Sequence, residues 1–402
     1  MTVTIEKSKA QGVINAPPSK SMAHRNLICG ALSNKSEISN VAYSQDILAT
    51  LDCLKALGAT INKNNGNVTI GDVNPFNAKS VTLDCRESGS TLRFMLPLCL
   101  LSNEEKTLTG SGRLLDRPMT VYENLFKEKG ISFYKDSKCI KVKGKLKGGV
   151  YTVDGGVSSQ FISGLLFALP LLEEDSVINI VGDLQSRSYL NLTLSSLKTF
   201  GINVDSSDIR NIKIKGNQRY ISQNIAVEGD YSNAAFFEAL NFLGGNVTVN
   251  GLDKNSLQGD KVYLDLLPIL EKGKGKISLA DCPDLGPILF TVAAAKNGAT
   301  FTDTARLRIK ESDRVLCMEK ELSKFGVKMD IEENCVKVYG GELKRPTENL
   351  YGHNDHRIVM SMAVLSSLTG GTIEDAGAVN KSLPDFFEII KGLGIKVNIN
   401  ET

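Results

Sequence analysis

One phrase recurs six times along this chain: a helical run with apolar residues three and four apart, then glycine, then a short run of alternating polarity. It reads LATLDCLKALGATI from Leu48, VYENLFKEKGISF from Val121, LNLTLSSLKTFGINV from Leu190, FFEALNFLGGNVTV from Phe236, CMEKELSKFGVKM from Cys317 and DFFEIIKGLGIKV from Asp385. In each, the glycine follows the last helical turn, where a left-handed C-cap admits glycine at no steric cost. Strand-like segments bounded by Gly, Asn or Asp lie between these phrases, among them NVTIGDV, SVTLDC, SVINIVG and KISLAD. The pattern predicts six similar α/β units, each a small sheet with helices covering one face. A single large doubly wound sheet is the alternative, and the repeat count favours two matched domains of three units each.

With 402 residues the chain exceeds the size at which one hydrophobic core stops growing, which also points to two domains. The Pro17-Pro18 pair in AQGVINAPPSK prevents regular helix or central strand and suits an extended crossing near 14–19. A second crossing is expected near 224–230, in QNIAVEGDYSNAA. The expected division is residues 1–18 with 228–402 in one domain and 19–227 in the other.

A net charge of +2 gives no global basic field, so nucleic acid is a poor fit and an anionic ligand has to be gathered by local clusters of Lys and Arg. The eight cysteines are scattered without a CxxC pair and read as reduced, buried, small hydrophobes rather than disulfides or zinc ligands. The opening MTVTIEKSKA has no apolar stretch of secretory type, and no window approaches the roughly 20 apolar residues of a membrane span. Cytoplasmic localisation without a membrane partner is the expectation.

Chemistry-bearing residues cluster at predicted helix starts, where unpaired N–H groups and a partial positive charge attract anions. PPSKSMAHRNLICGAL puts Ser19, Lys20 and Ser21 at one start and Arg25 a turn further on, which is either an anion site or a serine cap with solvated basic side chains. His24 reads as an ordinary helix residue. In CRESGSTLRFMLPL the turn Glu87-Ser88-Gly89-Ser90 enters an apolar helix carrying Arg93, and Gly89 lets a ligand approach the backbone. Arg113 and Arg117 follow in TGSGRLLDRPM, either solvated or a guanidinium fork for phosphate or carboxylate. DGGVSSQFISGLLFALPLL sets Ser158, Ser159 and Gln160 at the mouth of a buried helix, and GDLQSRSYLNLTL adds Ser186 and Tyr189; both suit a phosphate or a hydroxyl-rich ligand.

In RLRIKESDRVLCMEKEL, Lys310, Glu311, Asp313 and Arg314 crowd one helix start: a solvated charged turn, or the mixed acid and base that proton transfer beside an anion requires. Asp284 in DCPDLGPILF, Arg357 in HNDHRIVMSMA and Lys381 in VNKSLPDFF complete the set. His353 and His356 invite a metal reading, but with one other histidine and no CxxC a tetrahedral zinc site is not expected. Neither GxxxxGK[ST] nor a GxGxxG after a strand is present, so nucleotide phosphate binding lacks its signature. KGKGK near Gly273 reads as a flexible basic loop.

Taken in order, PSKSMAHR, ESGSTLR, GRLLDRP, DGGVSSQF, SRSY, VEGD, the PD of DCPDLG, RIKESDR, NDHR and NKSLPDFF resemble the EPSP synthase family of enolpyruvyl transferases over almost the entire chain. The resemblance implies an inside-out α/β barrel fold: two similar domains, each of three repeated α/β units with helices packed inside small sheets, and an active site in the cleft. It implies a monomer without metal or organic cofactor, whose partners are the small molecules shikimate 3-phosphate and phosphoenolpyruvate. The implied reaction moves the enolpyruvyl group to the shikimate 5-hydroxyl through a tetrahedral adduct, in the shikimate pathway leading to chorismate and aromatic amino acids. Carried over residue by residue, the family pattern sets Lys20, Ser21, Arg25, Ser158, Ser159, Gln160, Ser186, Tyr189, Asp284 and Lys310 around shikimate 3-phosphate. It sets Lys20, Gly89, Arg117, Gln160, Glu311, Arg314, Arg357 and Lys381 around phosphoenolpyruvate and its competitor glyphosate. Lys20, Asp284 and Glu311 are the implied proton-transfer groups, with the step each performs left open.

Two positions depart from the family pattern: Glu87 stands where Asn is common, and Arg306 where some members have Asn. They bear on hydrogen bonding near Gly89 and on first-substrate affinity. The sibling transferase acting on UDP-N-acetylglucosamine has Lys-Asn where this chain has Lys20-Ser21, and often a loop cysteine that TGSGRLLDRP lacks. A non-catalytic polyol-phosphate binding protein, the remaining alternative, has no need of Asp284 and Glu311.

Overall fold

The computed structural model describes residues 1–273 and 275–400, so Lys274 in the expected KGKGK loop lies outside the described residues. Its helices are α1 (Lys20–Leu32), α2 (Gln45–Ala56), α3 (Gly89–Cys99), α4 (Thr120–Glu128), α5 (Ser159–Ala168), α6 (Arg187–Thr199), α7 (Tyr231–Phe242), α8 (Tyr263–Lys272), α9 (Gly286–Ala295), α10 (Arg314–Lys324), α11 (His356–Thr369) and α12 (Phe386–Gly392). The six repeated phrases fall on α2, α4, α6, α7, α10 and α12. The glycine closing each has positive φ: Gly58 at 106°, Gly130 at 69°, Gly201 at 80°, Gly244 at 104°, Gly326 at 82° and Gly394 at 88°. The repeat is thus a repeated C-cap, and each cap turns the chain from a helix into a strand.

Five four-stranded sheets share one topology. In one of them Val81–Asp84 runs parallel to Lys106–Thr109, which pairs antiparallel with Cys139–Lys143, and that strand pairs antiparallel with Ser132–Lys135 at the edge. The edge strand is in each case the one that follows the phrase glycine. The sixth sheet differs from the expectation of six like units, holding two strands among the described residues, Gln11–Asn15 parallel to Asn246–Asn250. Beyond Asn250 the chain turns at Gly251 (φ 81°), is held by Asn255 N donating to Asp253 Oδ1 at 2.8 Å, and enters a 3-10 turn at Gly259–Val262 instead of adding strands.

The chain divides into two compact units, Met1–Ser19 with Gly229–Thr402, and Lys20–Glu228. Each unit closes on itself by pairing strands far apart in sequence. Thr2–Glu6 pairs antiparallel with both Gly371–Glu374 and Lys396–Asn400, while Asn224–Ala226 lies parallel to Ser36–Ser39. Each unit has its own hydrophobic core. Strands such as Ser176–Val181 and Cys139–Lys143 alternate buried with more exposed residues, so one sheet face turns inward. Helices α3, α5, α9 and α11 are buried on almost every side. In the Lys20–Glu228 unit α3 packs on α5 and α1 on α6; in the other, α9 packs on α11 and α10. Helices inside and small sheets outside is the inside-out α/β arrangement.

All eight cysteines are free thiols, but the reading of them as buried holds only for Cys29, Cys53, Cys85, Cys99 and Cys282. Cys139 and Cys335 open strands, Cys317 lies on the amphipathic α10, and all three are half-buried. Among the described residues, no helix is long and apolar enough to cross a membrane.

The last phrase offers a test of the C-cap argument. Gly392 ends α12 with no atom within 4 Å of an added Cβ, whereas Gly394 has φ 88°. Gly392→Ala is expected to be neutral or stabilising by up to about 1 kcal/mol, and Gly394→Ala to destabilise by about 1 kcal/mol, read from urea midpoints. Equal effects of the two changes would contradict the cap.

Candidate active site

In the Lys20–Glu228 unit the starts of α2, α3 and α5 are capped by a serine hydroxyl. Ser88 caps α3, with its hydroxyl accepting from Thr91 N, and Ser158 caps α5, accepting from Gln160 N. Ser186 stands at the cap position of α6 in a left-handed conformation, φ 55°, that a non-glycine residue holds only at a cost of order 1 kcal/mol. At α3 and α5 no carboxylate stands in the first turn, so the positive end of the helix dipole is left uncompensated, which suits an anionic ligand.

Lys20, the first residue of α1, makes a 2.8 Å ion pair with Asp46 Oδ2 in the first turn of α2. Beneath it runs a buried file of hydroxyls: His24 Nδ1 is 2.8 Å from Thr50 Oγ1, which is 2.7 Å from Thr91 Oγ1, which is 2.7 Å from Ser88 Oγ. Burial and then the charges of Lys20 and Arg25 hold the His24 imidazole well below its usual range, so it stays neutral. His24 is therefore a packing and hydrogen-bonding residue tying α1 to α2. Arg25 is buried: Nε donates to Thr193 Oγ1 at 2.8 Å, Nη1 to Ser21 O at 2.7 Å and Nη2 to Tyr189 O at 2.9 Å, joining α1 to α6. Burial brings its guanidinium down to about 10.

Gln160 is fixed at both ends of its amide. Its Nε2 donates to Ser90 Oγ at 2.9 Å, and its Oε1 accepts from Arg93 Nη1 at 2.6 Å. Arg93 also lies over the Phe161 ring at 5.0 Å. An added Cβ at Gly89 would stand 2.6 Å from Arg117 Nη1 and 3.2 Å from Arg93 Nη1, so the missing side chain is what lets two guanidinium groups come against the start of α3. Arg117 is buried and Arg113 exposed, so the two form no fork. Glu87 lies against Gly112 in the same loop: a Cβ there would meet its Oε2.

In the other unit three helix starts are capped by aspartates: Asp230 on α7, Asp313 on α10 and Asp355 on α11. They compensate those helix dipoles, and Asp355 also joins Asp284 and Glu311 around a buried cation. Arg314 donates from Nε to Asp355 Oδ2 at 2.9 Å, from Nη1 to Asp284 Oδ1 at 2.9 Å and from Nη2 to Glu311 Oε2 at 2.7 Å. Arg314 is 1% exposed and Asp355 0%, while Asp284 and Glu311 keep 21% and 17% of their surface. Burial pushes the guanidinium down, but the three carboxylates outweigh it and the net direction is up. Lys310 Nζ is 3.3 Å from Asp284 Oδ1; burial lowers its ammonium despite that carboxylate, and Arg306 and Arg314 add to the lowering.

Arg357 Nη1 donates to the Asp284 carbonyl at 2.9 Å, and Lys381 Nζ to the Asn354 carbonyl at 2.5 Å. Nearby, the buried carboxyl of Asp260 is pushed up to about 6, first by burial and then by the charge of Asp284, with Arg357 pulling the other way. His353 Nε2 lies 2.8 Å from Glu321 Oε1. Among the described residues, no group of three or more His, Cys, Asp or Glu could hold a metal ion.

Both halves gather cations, hydroxyls and carboxylates at helix starts, the equipment for anionic, hydroxyl-bearing molecules and for proton transfer. The family pattern for EPSP synthase (3-phosphoshikimate 1-carboxyvinyltransferase) matches residues 5–273 and 268–390. The chain belongs to the EPSP synthase family. The 3-phosphoshikimate 1-carboxyvinyltransferase of Clostridium kluyveri is 41% identical, the match covering 98% of each chain. That of Clostridioides difficile strain 630 is 38% identical, over 99% of this chain and 98% of its own. A solved EPSP synthase from Acinetobacter baumannii, 24% identical over the whole of both chains, shares the fold with a TM-score of 0.80.

The residues carried over from the family pattern fall into two groups. Lys20, Ser21, Arg25, Gly89, Arg117, Ser158, Ser159, Gln160, Ser186 and Tyr189 lie in the Lys20–Glu228 unit, and Asp284, Lys310, Glu311, Arg314, Arg357 and Lys381 in the other. Sequence reasoning missed Asp46, Asp355 and Asp260 and gave Arg93 no role. Asp46 and Asp355 each stood one or two residues from a helix start, the signal that had drawn attention to their neighbours. The solvated-turn alternative for Lys310 to Arg314 is overturned by Arg314, whose burial requires partners.

Arg314→Met leaves two part-exposed carboxylates and one fully buried carboxylate without their cation. It is expected to lower the stability of that unit by about 3–5 kcal/mol in urea unfolding. A loss below about 1 kcal/mol would mean that water reaches the cluster and screens it.

Proposed function

We propose that the protein transfers the enolpyruvyl group of phosphoenolpyruvate to the 5-hydroxyl of shikimate 3-phosphate, releasing inorganic phosphate. The observation that supports this most is the Arg314 cluster: two part-exposed carboxylates, Asp284 and Glu311, on one buried guanidinium, with Lys310 beside them. The names carried by relatives 38% to 41% identical over nearly the full length support the same reading. The chain acts as a monomer in the cytoplasm on small molecules, without nucleic acid, membrane, metal or organic cofactor. A net charge of +2 fits anions gathered by local clusters rather than by a global field.

The shikimate 5-hydroxyl oxygen bonds to the central carbon of phosphoenolpyruvate, losing its proton, while the methylene carbon takes a proton to become methyl. The tetrahedral adduct then loses a methyl proton and its phosphate, restoring the double bond. Both halves need one group that gives a proton and one that takes it, and Lys20, Asp284 and Glu311 serve these roles. Ser21, Arg25, Ser158, Ser159, Gln160, Ser186, Tyr189 and Lys310 hold the first substrate with Lys20 and Asp284. Arg117, Arg357 and Lys381, with Arg314, hold the carboxylate and phosphate of the second and stabilise charge in the adduct. Gln160 suits an amide that must point one way, because Ser90 and Arg93 fix its two ends.

Purified protein is expected to release phosphate from phosphoenolpyruvate only when shikimate 3-phosphate is present, with no added metal. Turnover with a UDP-amino sugar instead would favour the sibling transferase, and turnover lost to a chelator and restored by a divalent ion would contradict the proposal. Glu311→Gln and Asp284→Asn should each lower kcat by roughly 10²-fold or more, the range of lost general acid or base catalysis. Full turnover in either variant removes that residue from the chemistry.

Gly89→Ala should displace the Arg117 guanidinium rather than unfold α3, since the atom it meets is the far end of a flexible side chain. It is expected to weaken glyphosate, the longer anion, more than phosphoenolpyruvate. Equal losses in the inhibition and Michaelis constants, or none, would put Gly89 outside that site.

A further inference from the structure

The turn from Gly352 to Asp355 supports the three cations of the Arg314 unit assigned above to phosphoenolpyruvate, Arg314, Arg357 and Lys381. Asp355 receives Arg314 Nε at 2.9 Å and Ser312 Oγ at 3.0 Å. Its Oδ1 also accepts Arg357 N at 3.0 Å, and the Asn354 carbonyl accepts Lys381 Nζ at 2.5 Å. The backbone that does this is costly. His353 (φ 52°) and Asn354 (φ 50°) are consecutive non-glycine residues in the left-handed region, where L side chains are strained. Such a turn persists only if its surroundings hold it.

Two anchors do so. Asn354 N donates to Asp375 Oδ2 at 2.5 Å. On the other side His353 Nε2 meets Glu321 Oε1 at 2.8 Å. Glu321 is fully buried on α10 and also accepts Lys324 Nζ at 2.7 Å and Tyr351 N at 2.9 Å, so one carboxylate joins the helix that begins with Arg314, the strand Leu350–Tyr351 and the turn. The Tyr351 ring stands edge-on to the imidazole, with centroids 5.1 Å apart.

We propose that His353, in its protonated form, is a positioning residue for the enolpyruvyl donor: by latching the turn to Glu321 it sets Lys381, Arg357 and, through Asp355, Arg314. The proposal rests on the function proposed above. Glu321 and Cys317 on α10 and the Tyr351 ring on the strand face the imidazole; Lys324 pairs with the same Glu321, Asp355 closes the turn, and Asp375 accepts from Asn354 N. Burial pushes the imidazole down, but Cys317 and Glu321 outweigh it and bring it up to about 9. A pKa raised above the ordinary value of about 6.5 means the latch is complete below that pH, largely kept at neutrality, and lost as pH rises through about 9.

The test is the pH dependence, from 6.5 to 10, of kcat and of KM for each substrate in wild type, His353→Gln and His353→Ala. Glutamine keeps a donor for Glu321 but no titratable charge. At pH 7 the variants are expected to raise KM for phosphoenolpyruvate about fivefold, with kcat and KM for shikimate 3-phosphate within about twofold of wild type. The difference should vanish by pH 10, where wild type has lost the same proton. A ratio of variant to wild type that does not change with pH, or a loss confined to kcat, overturns the proposal. Absence of turnover in wild type overturns the functional reading and this inference with it. If both variants lose their fold, the NMR titration of His353 in wild type decides: a value near 9 supports the latch, and one at or below the ordinary value overturns it.

Discussion

The Arg314 guanidinium is the interaction on which the rest of its unit depends. A buried charge of this size costs several kcal/mol unless its hydrogen bonds are met. Three carboxylates meet them, from three parts of the chain. Asp355 caps α11, Asp284 lies in the turn that leads into α9, and Glu311 precedes α10. One cation therefore registers three helix starts against each other. Asp284 and Glu311 are fixed by structural need before any substrate arrives, which is the preorganisation that proton transfer and charge stabilisation require.

The two units solve the helix-start problem in opposite ways. In Lys20–Glu228, the serine caps of α3 and α5 leave those dipole ends positive, and the ordering there runs through the His24, Thr50, Thr91, Ser88 file and the Ser90, Gln160, Arg93 chain. In the other unit aspartate caps cancel the dipoles, and the ordering is ionic. The same repeated scaffold thus yields one unit with helix starts suited to an anion and one with carboxylates gathered on a buried cation.

Much of this was legible in the sequence, for identifiable reasons. The repeat could be read because a left-handed C-cap nearly demands glycine, so each of six local conformations left a letter in the chain. The helix starts were readable because capping chemistry is short-range. What escaped was long-range. Asp355 mattered through Arg314, 41 residues away, and Gln160 is oriented by Arg93, 67 residues away. His24 looked ordinary because its partner lies on the next helix. The reduced sixth sheet was hidden because its phrase from Phe236 keeps the common pattern, and the departure begins only beyond Asn250.

The cations assigned to the substrates are not equivalent, and their engagement with the protein ranks them. Arg314 has committed Nε and both terminal nitrogens to carboxylates, so its contribution to a bound anion is chiefly the field and the frame it maintains. Arg357 and Lys381 instead rest on backbone carbonyls, at Asp284 and Asn354. Arg357 also lies 3.7 Å from Asp284 Oδ2, so its charge is shared with the same carboxylate that Arg314 holds. Lys20 stands between these cases, paired at 2.8 Å with the single carboxylate of Asp46. A substrate anion that draws Lys20 away must compete with Asp46, and that competition keeps the ammonium oriented while making its transfer to a ligand reversible.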